Sequence, residues 1–287
     1  MASALGDEPV RAIRLTLDSM EMAREVGVRG MYNWLVAMVA FGLQSAGRDW
    51  DEHLERMREA LETATVRSDR VRLRSIAASF ELARGEGLDT IGPELRELVG
   101  DSTDPDDRFA MLMTTAIAPL MSGDADAAYT SAMEAGALQT QSPEAAAGLA
   151  LRAAVWARDP DRMRAAAALV AEGLSTGAVS QAFRVAADGA VAFADGRTGD
   201  ALDALHDAIE RLTTLELHAE AAMLTVDAAI LMPAEPEIRH LVEAHRPLLE
   251  ELRARPILER LDAALASVPG ASRAAAAIPV ESPSSTS

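Results

Sequence analysis

Ala46-Gly-Arg-Asp-Trp-Asp-Glu-His53-Leu-Glu-Arg-Met57-Arg-Glu-Ala60-Leu61 reads as a tight turn followed by a helix. Gly47 suits the left-handed end of one helix, and acidic residues suit the positive N-terminal end of the next. His53, Met57 and Ala60, at offsets of four and then three, share one helical face. The pattern returns down the chain. Ile91, Ala128, Met163, Ala201 and Ile238 stand where His53 stands, at spacings of 38, 37, 35, 38 and 37 residues. Four residues further on lie Leu95, Ala132, Ala167, Leu205 and Val242, and seven on lie Leu98, Ala135, Val170, Ala208 and His245, where His245 is the single break in the later apolar run. A stripe recurring about every 37 residues predicts helix pairs that stack, each offering the same face to its neighbours.

Turn chemistry marks the boundaries. Gly87-Leu-Asp, Gly123-Asp-Ala-Asp, Asp159-Pro-Asp, Gly196-Arg-Thr-Gly-Asp and Pro233-Ala-Glu-Pro-Glu each precede a second helix, with Asp placed to accept backbone N–H bonds and Pro tolerated in a first turn. Looser connections, Asp101-Ser-Thr-Asp-Pro-Asp-Asp and Thr140-Gln-Ser-Pro-Glu, separate the pairs, the second with Ser142 as N-cap. The expected helices are 8–26, 29–46, 50–65, 68–85, 91–99, 105–122, 125–138, 143–158, 160–174, 177–195, 199–214, 217–231, 236–252 and 256–267. The last, around Pro256-Ile-Leu-Glu-Arg-Leu, is expected to cap the open end. This divides the chain into a flexible N-terminus (1–7), a helical-repeat domain (8–267) and a disordered Ala/Pro/Ser-rich tail (268–287) too poor in apolar surface to offset its ordering entropy.

Composition agrees with an all-α chain. Aromatic residues make up 3% of the 287 positions and the apolar fraction, 49%, is dominated by Ala and Leu, which favours close-packed helices over strands. There is no cysteine, so disulfides, thiol nucleophiles and cysteine-ligated zinc or iron–sulfur centres are excluded. All 27 basic residues are Arg. Without lysine there is no phosphate-binding loop ending in Gly-Lys-Ser/Thr, no Schiff base and no ATP-pairing lysine. The formal net charge of −18 opposes nucleic-acid phosphate and anionic membrane alike. The uncharged run from Gly30 to Gly47 contains Asn33, Gln44, Ser45 and three glycines and falls in register as a first helix, so burial in the core is preferred to a membrane span. Met1 to Pro9 carries no signal pattern, which leaves a cytoplasmic location as the expectation.

The phrase from Ala46 to Leu61, together with Ser122-Gly-Asp-Ala-Asp-Ala-Ala-Tyr, resembles the turn and second helix of tetratricopeptide repeats. The resemblance spans residues 8–267 and departs from the family in its longer period and in Met57, Ala132 and Leu205, where a bulky aromatic is expected. More narrowly, the chain is similar to the degenerate repeat region at the C-terminal end of large bacterial signalling ATPases and transcriptional regulators, the phrase Leu252-Arg-Ala-Arg-Pro-Ile-Leu-Glu-Arg-Leu being like theirs. No Walker loop, cyclase domain or helix-turn-helix accompanies it here. The resemblance implies an α-solenoid of about six to seven antiparallel helix pairs wound as a right-handed superhelix.

It also implies a concave groove lined by first helices. The positions fifteen residues before the register residues are Met38, Ile76, Met113, Gly148, Ala186 and Met223, and four further on are Gly42, Phe80, Ile117, Arg152, Ala190 and Asp227. Met38, Ile76, Phe80, Met113, Ile117, Arg152 and Met223 are the candidate groove residues, methionine being adaptable enough for an amphipathic helix or a lipophilic ligand. Filling core gaps is the plainer use of the same methionines. A carboxylate clamp of Lys and Asn cannot be built from one asparagine, Asn33, and no lysine. Asp203-x-x-His206 and Glu237-x-x-His240 have the spacing of di-iron ligand pairs, but consecutive repeats would place them apart, and solvated helix faces explain them. Asp101-Ser-Thr-Asp-Pro-Asp-Asp is read as a capping loop, since the ten aromatics are too scattered to line a carbocation cavity. No catalytic, cofactor or metal residue is assigned. The expectation is a non-enzymatic repeat scaffold or regulatory module that binds a protein or peptide, without cofactor, nucleic acid or membrane; the alternative is a sensor closing on a small lipophilic molecule or signal peptide.

Overall fold

The computed structural model describes residues 7–138, 143–173 and 176–268. The segments 1–6 and 269–287, and the expected N-cap Ser142, lie outside them. The described residues form fourteen helices and no strand: α1 (Pro9–Val26), α2 (Arg29–Ala46), α3 (Trp50–Thr63), α4 (Arg67–Ala83), α5 (Ile91–Val99), α6 (Pro105–Ser122), α7 (Ala125–Gly136), α8 (Pro143–Ala157), α9 (Pro160–Gly173), α10 (Ala178–Ala194), α11 (Thr198–Thr214), α12 (His218–Leu231), α13 (Pro236–Glu251) and α14 (Arg255–Ala266). Each begins and ends within two residues of the sequence-based expectation.

The punctuation works through backbone chemistry. Asp104 and Asp124 accept from Asp106 N at 2.9 Å and Ala127 N at 3.0 Å, satisfying first-turn donors that have no partner inside the helix. Asp159 does the same for Asp161 and Arg162, both at 3.1 Å. In the Asp101–Asp107 loop the buried Ser102 hydroxyl donates to the Asp107 carboxylate at 2.8 Å, so this acidic run is capping structure.

Of the eighteen register positions sixteen are buried, and the other two, Leu98 and His245, are half-buried. Their faces meet sequential neighbours. α2 packs on α1, α3 and α4; α4 on α6; α6 on α7 and α8; α8 on α9 and α10; α10 on α11. The row then turns back on itself: α12 rests on α2 and α8, while α14 rests on α4, α6 and α12.

Two glycines show how close this return is. Gly47 ends α2 at φ 73°, and a Cβ there would lie 3.3 Å from both Ala219 and Leu248. Gly85, at φ 78°, would place a Cβ 2.9 Å from Pro256 at the start of α14. Both positions need glycine for the left-handed turn and for the close approach of the C-terminal helices.

Candidate interaction site

The seven sequence-derived groove residues differ in exposure. Ile76 and Phe80 are core residues at 5% and 0% exposure, Phe80 meeting Trp50 edge-on with ring centroids 5.0 Å apart. Met38, Met113, Ile117, Arg152 and Met223 are half-buried. Met113 and Ile117 pack against separate small clusters around Leu112 and Leu95, and Met223 packs against the main core.

Three polar staples hold α12–α14 against the earlier helices. In the first, Arg152 Nε donates to Asp227 at 3.0 Å and Trp156 Nε1 donates to the other Asp227 oxygen at 2.7 Å. Glu220 stands 3.9 Å from Arg152 and accepts from Ser45 of α2 at 3.1 Å. Burial opposes the Arg152 charge, yet the carboxylates of Asp227 and Glu220 outweigh it and hold its pKa above the ordinary value. The remaining carbonyls are served from the same side: Arg158 donates to Ile230 O, and Arg260 of α14 donates to Trp156 O.

The second staple surrounds Arg84, buried to 8% exposure. Its guanidinium reaches Asp51 at 2.7 Å, donates to Leu252 O at 3.2 Å and sits 5.8 Å from the Trp50 ring centroid. Arg253 also pairs with Asp51. The hydrogen bond from Arg84 is the main reason the Asp51 carboxyl lies below its usual range. A third contact, Arg48 to Glu216 at 2.8 Å, is half-exposed and correspondingly weak.

Two clefts remain. One of about 410 Å³ lies between the end of α3, the start of α4 and α5; Arg67, Arg70, Arg74, Glu94 and Glu97 line it with Leu61 and Leu98. Arg74 is already engaged there, by Glu94 at 2.7 Å and Glu81 at 2.9 Å. The other, about 220 Å³, lies between α7, α8 and α9 and is largely apolar, with Ala132, Met133, Ala146 and Leu169 among its walls. Among the described residues no group of three or more His, Asp or Glu is placed to hold a metal ion. Asp203, His206, Glu237 and His240 are all exposed, on α11 and α13. No described helix is long and apolar enough to cross a membrane, and α2, which holds most of the uncharged run, buries ten of its residues.

The strongest surface anomaly was not anticipated. Among the described residues eight large hydrophobic side chains are exposed, and six of them fall between positions 15 and 34: Leu15 at 56%, Met22 at 64%, Val26 at 71%, Val28 at 46%, Met31 at 56% and Trp34 at 47%. On α1, Ile13, Met20 and Ala23 turn into the core, whereas Leu15, Met22 and Val26 repeat at seven and four residues along the opposite side. Val28, Met31 and Trp34 follow in the α1–α2 turn and the first turns of α2. The sequence did carry a signal: α1 has apolar residues on two faces, and a helix at the end of a row has only one neighbouring layer to cover them.

Comparison with protein-family models, with curated proteins and with solved structures gives no match in any of the three.

Proposed function

We propose that this chain is a non-enzymatic protein-interaction module built as an α-solenoid of tetratricopeptide-like helix pairs, serving a regulatory or signalling system. The recurring buried register and the packing of each helix on its sequential neighbours support the repeat reading. The observation that carries the functional reading is the exposed apolar face of α1 and the α1–α2 turn. Isolated surface hydrophobics need no explanation, but six gathered on one helical hairpin mark a surface that meets another protein. On this reading the binding face lies at the N-terminal end of the chain; of the seven groove candidates, Ile76 and Phe80 are core, and Met38, Met113, Ile117, Arg152 and Met223 are half-buried.

The test is site-specific photo-crosslinking in cells of the natural host, with the probe at Met22, Trp34 or, as a control, Leu169. Discrete protein adducts from Met22 and Trp34 but not from Leu169 support the reading. Adducts from none of the three, with the chain folded and expressed, would remove it.

A second reading rests on the apolar cleft beside Leu169, whose alanine and methionine walls suit a small lipophilic molecule, although its 220 Å³ is below the usual range for such sites of about 300–1,000 Å³. A saturable thermal shift with such a molecule, lost in Ala146→Leu, would move the assignment there.

A further inference from the structure

Resting on the reading of the N-terminal face as an interaction surface, we propose that its occupant is a second copy of this chain, docked through an antiparallel pairing of the two α1 helices. An isologous interface must be self-complementary: a residue i that meets j must meet it twice, once on each side of the two-fold axis. Two members of the exposed stripe of α1, Leu15 and Met22, satisfy this about the point between Asp18 and Ser19, with Val26 opposite the aliphatic stem of Arg11. Leu15 and Met22 lie symmetrically on either side, so each Leu15 faces Met22 of the second copy. Arg11 and Val26 are the next symmetric positions, and both are exposed.

The charges follow the same symmetry. Exposed Arg11 and Arg14 lie before the axis and exposed Glu25 after it, so an antiparallel partner sets Arg11 beside Glu25 at each end, while exposed Asp18 sits at the axis itself. The existing partners of the ends are local and exchangeable: Arg11 pairs with Glu8 at 2.9 Å, both exposed.

Area and architecture point the same way. The six side chains together expose on the order of 600 Å² of apolar surface per copy, the upper end of what a monomer ordinarily leaves uncovered and three quarters of the roughly 800 Å² per partner of a standard stable interface. In a row of stacked helices each end needs a covering layer. α14 lies against α12 and α13 near the C-terminal end, whereas no described helix covers the outer side of α1. Two copies joined there cover each other.

Sedimentation of the full chain over about 1–100 μM tests this. A reversible dimer is expected. Leu15→Arg alone and Met22→Glu alone should each raise the dimer dissociation constant at least about 30-fold, with circular dichroism unchanged because both positions are exposed. The L15R/M22E double variant should recover most of the affinity, since in the antiparallel register each new cation faces a new anion. Asp18→Asn should tighten the dimer, because the two Asp18 carboxylates flank the axis. A chain monomeric at 100 μM overturns the proposal, as does a dimer indifferent to Leu15→Arg or a double variant no better than the singles. A monomer that still gives photo-adducts with a foreign protein from Met22 overturns self-association alone and leaves the interaction-module reading standing.

Discussion

Trp156 and Asp227 are separated by 71 positions in the chain and joined by a buried hydrogen bond of 2.7 Å, indole nitrogen to carboxylate. The other Asp227 oxygen takes Arg152. One carboxylate therefore fixes α12 to α8 through two donors.

Asp227→Ala should be among the most damaging single changes in the molecule. It leaves the largely buried Arg152 guanidinium with only the more distant Glu220, at 3.9 Å, and orphans the Trp156 N–H, a loss of about 3 kcal/mol. Chemical denaturation measures it. Replacing both partners, Arg152→Met with Asp227→Leu, should cost clearly less than Asp227→Ala, because no uncompensated charge is left behind.

Arg84→Ala should loosen the C-terminal helices without unfolding the rest. It removes the donor to Leu252 O, the contact with Asp51 and the stacking on Trp50, together about 2 kcal/mol once the exposure of Asp51 is allowed for. Hydrogen exchange should accelerate in α13 and α14 while α10 and α11 keep their protection. Equal acceleration everywhere would mean that the staple is not local.

Gly85→Ala tests the same contact sterically. The new methyl group would meet Pro256 at 2.9 Å and sit in a left-handed backbone conformation, two penalties expected to total about 2 kcal/mol. Gly196→Ala has the same left-handed conformation at φ 76° with open space around it, and should cost only the backbone part. The difference between the two variants, read from thermal or denaturant midpoints, isolates the packing of α14.

Stability should fall on the acid side in two steps. Burial holds the His53 imidazole below the ordinary histidine pKa, against the bond it donates from Nε2 to Val36 O at 2.9 Å; burial and then His218 do the same to His245. A group depressed in the folded state contributes in full above its unfolded value, here about 6.5, and that contribution is lost as pH falls through the folded value. The second step comes from carboxylates. Asp51, held down chiefly by Arg84, and Glu94, held down chiefly by Arg74, lose their contribution below the usual carboxylate range. In His53→Leu the loss of stability between pH 7.5 and 5.5 should be smaller than in the natural chain. An unchanged loss would assign the whole first step to other groups.

The helices were legible because their signals are local. Gly47, Asp104, Asp124 and Asp159 act within a few residues of themselves, and the 3.6-residue period of the stripes depends only on which neighbours follow. The buried face of the second helices was legible for the same reason, down to the half-buried His245. The return of α12 and α14 was not. It depends on how the packing angles of successive helices add up, and Arg84, Asp51 and Leu252 carry no mark in the sequence of being neighbours. That is why Phe80 and Arg152, read as facing a groove, sit among core and staple contacts. The outer stripe of α1 was visible in principle, since Leu15, Met22 and Val26 share a helical side, but judging it exposed required knowing that no further helix packs there.

The return of the C-terminal helices also limits how this chain can change in length. An open row of stacked pairs can gain or lose a pair while every remaining contact survives. Here α12 must arrive at α2, and α14 at α4, at the right height and angle. Inserting one pair in the middle would swing Asp227 away from Trp156 and Leu252 away from Arg84 together. The number of helices between α2 and α12 is thus tied to these contacts, and variation among natural versions of this protein should appear in the loops and at the two ends, with that number unchanged.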